Sequence, residues 1–169
     1  MSDPTEPVEV RPLEQDDLPA AVATSLAADT VFADAGVVLP PDDPAEMLAH
    51  AAAVLVAGRP VVGLAALVQL DGVAHLEQLA VHPAHGRRGI GAALLEAACG
   101  LARSQGSAAM TLTTFRDLAW NGPWYAARGF SPLPESEWGP GLRAQWRAEE
   151  RAGILVAPRI AMRRELSSA

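Results

Sequence analysis

The residues best suited by type and spacing to do chemistry lie between His75 and Ala92. The run His75-Leu76-Glu77-Gln78-Leu79-Ala80-Val81 reads as a strand. After His82-Pro83 comes the turn Gly86-Arg87-Arg88-Gly89, which opens directly into a helix through Ile90-Gly91-Ala92. A helix N-terminus carries unpaired N–H groups and the positive end of the macrodipole. Gly89 and Gly91 let a ligand come close to that backbone, and Arg87 and Arg88 add charge. The first helical acid, Glu96, stands well past the first turn, so the positive end is left to an outside anion. A phosphate or diphosphate suits it. The plain alternative is a glycine turn that only starts a helix.

Two standard nucleotide readings fail on this stretch. A P-loop needs a Lys after its second glycine, and the chain has no Lys. A dinucleotide fingerprint needs a third glycine, whereas Gly91 is followed by Ala92-Ala93-Leu94. A second constellation lies downstream in Trp120-Asn121-Gly122-Pro123-Trp124-Tyr125-Ala126-Ala127-Arg128-Gly129-Phe130, with Tyr125 the one tyrosine of the chain. The four His residues have no Cys partner at a ligand spacing, so no metal is expected.

Leu79-Ala80-Val81-His82-Pro83, a short spacer, and Arg88-Gly89-Ile90-Gly91 ahead of Ala92, Leu94 and Leu95 resemble the acetyl-CoA loop and helix of the GNAT superfamily of N-acetyltransferases. Tyr125, with Gly129-Phe130 four and five residues later, resembles the end of that family's cofactor-binding half. The family pattern Gln/Arg-x-x-Gly-x-Gly/Ala puts Gly86 in its first slot here, with Arg87 displaced by one, so which Arg meets the diphosphate stays open. Leu118 holds the place of the usual Asn, and Asn121 is either a helix N-cap or a cofactor contact.

The resemblance implies an acetyl-CoA-dependent transfer of an acetyl group to a primary amine of a small molecule, by direct attack on the thioester. It implies that the backbone from Arg87 to Ala92 holds the diphosphate, and that Leu79, Ala80 and Val81 pair with the pantetheine arm like an added strand. Tyr125 stands where the family places the acid that protonates the leaving thiolate; its bland role is an aromatic anchor. Glu77 is the first choice for the base, its bland role being a solvated strand carboxylate. His75, two residues before, shares its face if the strand is regular. Phe115, Arg116 and Trp120 are expected near the acceptor pocket, or simply in the core. The alternatives are a non-catalytic acyl-CoA-binding sensor and a protein N-acetyltransferase. A homodimer is compatible with the family.

Elements that must position these groups follow from periodicity. Strands are expected at 8–13, 53–56, 61–70, 75–81, 108–115 and 159–165, with an extended path at 130–133. Helices are expected at 14–28, 45–51, 90–103, 123–128 and 140–151. Hairpins come first, then strand–helix–strand crossings. That order implies one α+β domain over 1–169 with a GNAT-like fold, a mixed and mostly antiparallel twisted sheet flanked by helices. The acidic, proline-bearing stretch 1–7 is expected to be flexible. Segment 134–153, bearing Trp138 and Trp146, is expected as an inserted helical piece near the site, core packing being its other reading.

Composition bounds the rest. The chain has 169 residues and a net charge of −7, and all 13 of its basic residues are Arg. Such a balance argues against a nucleic-acid partner. No window approaches the roughly 18 apolar residues of a membrane span, and the N-terminus lacks a signal-peptide pattern, so a cytoplasmic protein is expected. The single Cys99 allows no internal disulfide and reads as a core thiol.

Overall fold

A computed structural model describes residues 7–166, so the stretch read as flexible lies, save Pro7, outside the described residues. Alternating apolar strands pair into a seven-stranded sheet in the order β1-β2-β3-β4-β5-β7-β6. The strands are β1 (Val10–Pro12), β2 (Ala53–Ala57), β3 (Gly63–Leu70), β4 (Val73–Val81), β5 (Ala109–Phe115), β6 (Ser131–Pro132) and β7 (Arg159–Glu165). Every neighbouring pair is antiparallel except β4 with β5, which run parallel because a helical crossover joins them.

That crossover helix, α3 (Ile90–Ser104), covers one face of the sheet. Its buried positions Ile90, Leu94, Leu95, Ala98, Cys99 and Ala102 follow the helical period and meet Leu55, Leu67, Leu76 and Leu112. Cys99 is fully buried, as a core thiol, and burial pushes its thiol pKa up. Gly63 sets how closely α3 approaches: a Cβ there would lie 2.9 Å from Leu94 Cδ1 and 3.1 Å from Ile90 Cγ2. The N-terminus of α3 is thereby seated against β3 and β4.

The opposite face is covered by α1 (Leu18–Asp34) and α2 (Pro44–His50), with Ala21 and Leu48 packed on Val56, Leu64 and Ala66. The first of these runs six residues past the expected end at Ala28. Asp29, Thr30 and Val31 are weak helix formers, but Phe32 packs on Phe115 with ring centroids 5.5 Å apart, and tertiary contact outweighs propensity. The extension carries Asp29 and Phe32 to the site described below.

Two further helices are α4 (Gly122–Ala126) and α5 (Pro140–Arg151), the latter within the bounds expected from sequence. Its start is capped from far away in the chain. Asp71, in the β3–β4 turn, accepts hydrogen bonds from Gly141 N at 2.6 Å and Leu142 N at 2.9 Å. A Cβ at Gly141 would fall 2.8 Å from Asp71 Oδ1, so the glycine is what lets the carboxylate reach the helix end. At its other end α5 is tied to the sheet by Glu149, which accepts from Thr113 Oγ1 at 2.7 Å and from Arg159 Nη2 at 2.8 Å.

Candidate active site

Strands β4 and β5 pair only from Ala74 to Leu76 against Met110 to Leu112. Beyond that they part. The cause is visible on the other edge of β4, where the register with β3 shifts between Ala66 and Leu67: Gln78 faces Ala66 but Leu76 faces Leu67, which leaves Glu77 as the extra residue of a β-bulge. Past the bulge, β4 and β5 both line a cavity of about 750 Å³. Glu77, Leu79, Ala80 and Val81 stand on one wall, and Phe115 with Thr113 and Thr114 on the other.

The N-terminus of α3 opens on the same cavity through Gly89, Ile90, Gly91 and Ala92. Its first helical hydrogen bond runs from Ala93 N to Gly89 O at 3.0 Å, so the N–H groups of residues 90–92 precede the ladder. No acid occupies the first turn. Gly89 caps the helix at φ 76°, and Arg87, a non-glycine residue, is held at φ 64°. A left-handed conformation costs a non-glycine residue roughly 1–2 kcal/mol, and such strain gathers where backbone is shaped for a ligand. Arg87 lines the cavity. Arg88 does not: its Nη1 lies 3.4 Å from His85 Nδ1, and the alternating turn points it elsewhere. A Cβ on Gly91 would meet only Trp124 and Val81, at 3.7 Å, which is ordinary contact. The fold itself therefore does not demand glycine at this position.

Helix α4 brings Asn121, Trp124 and Tyr125 to the cavity. Asn121 occupies the N-cap position, yet its side chain does not cap. Its Oδ1 instead accepts from Thr114 Oγ1 at 2.7 Å and fastens α4 to β5. Tyr125 is 9 % exposed, and its ring is gripped by Trp124 and Phe130, with centroids 5.1 and 5.6 Å away. Among the described residues its hydroxyl has no hydrogen-bond partner, although it borders the cavity. Burial pushes the phenol well above its ordinary pKa, so it stays protonated at any working pH.

Glu77 is exposed on the cavity wall, and its carboxyl pKa is raised, first by desolvation among the surrounding groups and then by the charge of Glu149, with His50 opposing. His75 feels the charge of Glu149 as Glu77 does, but it lies covered at 1 % exposure, with Nδ1 2.8 Å from Thr111 Oγ1, and is absent from the cavity wall. Burial holds its pKa down, at about 4 against an ordinary 6.5. A base whose folded pKa is depressed contributes stability above its unfolded pKa, and that stability is lost as pH falls toward the folded value. Acidification from pH 6.5 to pH 4 should thus cost the parent about 3 kcal/mol through this group. A His75→Gln protein should have a thermal midpoint that changes less between pH 7 and pH 5; an equal fall in both would show that the ring is solvated.

Arg116 also stays outside the cavity, since it is exposed and paired with Asp117 at 2.9 Å. Trp120 does reach the wall, edge-on to Phe32 with centroids 5.9 Å apart. Trp138 and Trp146 stack on each other, 4.9 Å between centroids, away from the cavity, while Gln145 and Glu149 of α5 line it.

Several wall residues escape a reading of the sequence. Asp29 and Phe32 lie past the expected end of α1, and Asp42 lies in a proline-marked loop. Arg128 sits over the Trp124 ring at 3.8 Å, and Arg159 begins the last strand. No local pattern marks them, because only the packing of α1, α4 and β7 against β5 gathers them. The result is a cavity of two chemical halves. One holds the α3 N-terminus, Arg87 and Arg128; the other holds Asp29, Asp42, Glu77 and the aromatic wall. Among the described residues no group of His, Cys, Asp and Glu is placed to hold a metal ion, and no helix is long and apolar enough to cross a membrane.

Known proteins share this architecture. The structure superposes on N-acetylglutamate synthase from Neisseria gonorrhoeae, solved with coenzyme A and N-acetyl-glutamate, with a TM-score of 0.73 and 21 % identity over 96 % of the chain; the chain spans 36 % of that enzyme's length. It superposes on the PaiA N-acetyltransferase of Thermoplasma acidophilum in complex with coenzyme A, with a TM-score of 0.67 and 15 % identity, covering 95 % of this chain and 99 % of that one. The ribosomal-protein-S18-alanine N-acetyltransferase of Escherichia coli gives 0.62 at 20 % identity, with 96 % of each chain covered. At these identities the likeness carries the fold alone. The sequence carries more: residues 10–130 match the Acetyltransferase (GNAT) family, and the chain belongs to that family.

Proposed function

We propose that the protein is an acetyl-CoA-dependent N-acetyltransferase that moves an acetyl group to a primary amine of a small molecule. One observation carries the reading. The parted strands, the acid-free N-terminus of α3, the unpartnered Tyr125 hydroxyl and Glu77 all open on one cavity. The residues present fit coenzyme A. Residues 90–92 offer unpaired N–H groups and Arg87 a cation for the diphosphate. The room in front of Gly91 is left for a ligand, and the free edge of β4 over residues 77–81 can pair with an extended amide arm. When bound, acetyl-CoA supplies the thioester.

The chain's own groups then have separate tasks. Glu77, with its pKa raised, takes a proton from the acceptor ammonium so that a neutral nitrogen can attack. Tyr125, kept protonated by burial, supplies a proton to the departing sulfur. What supports a small acceptor is the wall around the second half of the cavity, built from α1, Asp42 and its loop, and α5.

Release of free CoA thiol with a panel of amines tests the reading. Stoichiometric thiol and acetylated amine are expected; tight acetyl-CoA binding with no release for any amine would favour a sensor. In the same assay Glu77→Gln should lower the rate about a hundredfold at pH 7, within the usual range for base help. The gap between mutant and parent should narrow as pH rises and close above about pH 11, where an amine of ordinary pKa about 10.4 is largely neutral without help. A deficit that is equal at every pH would assign Glu77 to acceptor binding instead.

A further inference from the structure

The acceptor half of the cavity carries more negative charge than the reaction uses. Asp29 on α1 and Asp42 in the following loop both line this end of the cavity, and burial first, then the charge of Asp42, raises the Asp29 pKa to about 6. Neither forms an ion pair among the described residues. Asp43, next to them, is already committed, since it accepts from Glu46 N at 3.2 Å as the cap of α2. The one cation at this end, Arg159, is neutralised by Glu149 at 2.8 Å. Gln78 adds another acceptor: its Nε2 donates to Ser25 Oγ at 2.7 Å, and its Oε1 is buried with no partner. Apart from Arg159 Nε, a buried donor without a partner on a guanidinium already paired with Glu149, the uncommitted polar groups here are acceptors, and Asp29 and Asp42 repel each other. What they lack is a cationic donor. One helical turn from Asp29, Phe32 begins an apolar wall that continues through Phe115 and Trp120, and Trp120 is 38 % exposed.

We propose that the acceptor is a diamine or polyamine, an alkyl chain whose reacting amine meets Glu77 while a second, protonated amine sits between Asp29 and Asp42. This rests on the acetyltransferase reading above. The methylenes lie along the Phe32–Trp120 wall, which favours both apolar chain and cation. In the transfer, the reacting ammonium gives its proton to Glu77 and the nitrogen lone pair forms the new C–N bond. The adduct then gives up a second nitrogen proton, which by way of water replaces the one Tyr125 gives to sulfur as the C–S bond breaks with its electron pair on sulfur, and the second ammonium stays charged throughout.

The test compares a homologous series of straight-chain α,ω-diamines with the monoamine of the same carbon number. Glutamate and a short peptide with an N-terminal alanine serve as other acceptors. The best diamine should exceed its monoamine in kcat/KM by about ten- to a hundredfold, the range for a hydrogen-bonded charge. The preference should peak at one chain length, because two carboxylate positions set a span. Asp29→Asn with Asp42→Asn should bring the diamine-to-monoamine ratio close to one, mostly through KM. Both changes are isosteric and relieve like-charge repulsion, so the thermal midpoint should hold. A parent ratio near one, a preference for glutamate or the peptide, or a ratio untouched by the double variant overturns the proposal. Acetyl-CoA that binds calorimetrically but reacts with no amine overturns the acetyltransferase reading as well. Transfer to monoamines as fast as to diamines overturns this inference alone.

Discussion

Replacing Gly91 with Asp should abolish acetyl-CoA binding while leaving the protein folded. The new Cβ would find only Val81 and Trp124, at 3.7 Å, so the packing has room for it. An acid in the first turn also suits the helix dipole, so the thermal midpoint of the unliganded protein should hold or rise. The same carboxylate would occupy the end of α3 that is free of acids and place a negative charge against the diphosphate. Loss of a charged hydrogen bond is worth about 1.5–3 kcal/mol, and like-charge repulsion adds to it. The dissociation constant should therefore rise by more than about a hundredfold. Gly89→Asp makes a poorer test, because Gly89 sits at φ 76° and any side chain there brings backbone strain along with the charge. Titration calorimetry with acetyl-CoA, beside a thermal melt, separates folding from binding. A Gly91→Asp protein that binds acetyl-CoA like the parent would remove the α3 N-terminus as the diphosphate seat.

Tyr125→Phe should leave the fold and acetyl-CoA affinity nearly intact and lower kcat by about a hundredfold. The ring packs between Trp124 and Phe130, and those contacts survive the change. The hydroxyl has no partner among the described residues, so its removal leaves no orphaned group behind. Acid help is commonly worth about 10²–10⁴ in rate, and a thiolate is already a fair leaving group, which places the effect at the low end. Since the phenol stays protonated across the working range, the deficit should not depend on pH up to pH 10. That sets it apart from Glu77→Gln, whose effect fades as pH rises. An unchanged kcat would make the hydroxyl structural. A large loss of affinity with kcat preserved would make Tyr125 a cofactor-binding residue rather than an acid.

The sequence by itself determined the features whose physics is local. The apolar period of α3, the glycine and arginine turn before it, and the strand at its head are all legible within about twenty consecutive residues, because helix period, turn chemistry and cap chemistry act over a few positions. The same holds for α5 and β7, whose bounds at Pro140–Arg151 and Arg159–Glu165 coincide with those expected from sequence. These elements in this order also specify the mixed, mostly antiparallel sheet with helices on its faces.

Tertiary structure alone decided what meets what. The bulge at Glu77 arises from pairing with β3 and shifts the alternation of the residues beyond it, so that Leu79 and Val81 pack with α3 and Ala80 toward α1, while His75, before the bulge, is covered rather than set on the cavity wall. Arg88 and Arg116 carry the right charge in the right segments but are not on the cavity wall, and Arg116 is paired with Asp117 instead. The length of α1 is set by Phe32 on Phe115, and the seat of α5 by Asp71, some seventy residues earlier in the chain. Each is a contact between distant segments, whose energy appears only once the chain has closed the loops between them. The acidic part of the cavity wall, drawn from α1, its following loop and β4, belongs to the same class, which is why its charge is invisible in any single stretch of sequence.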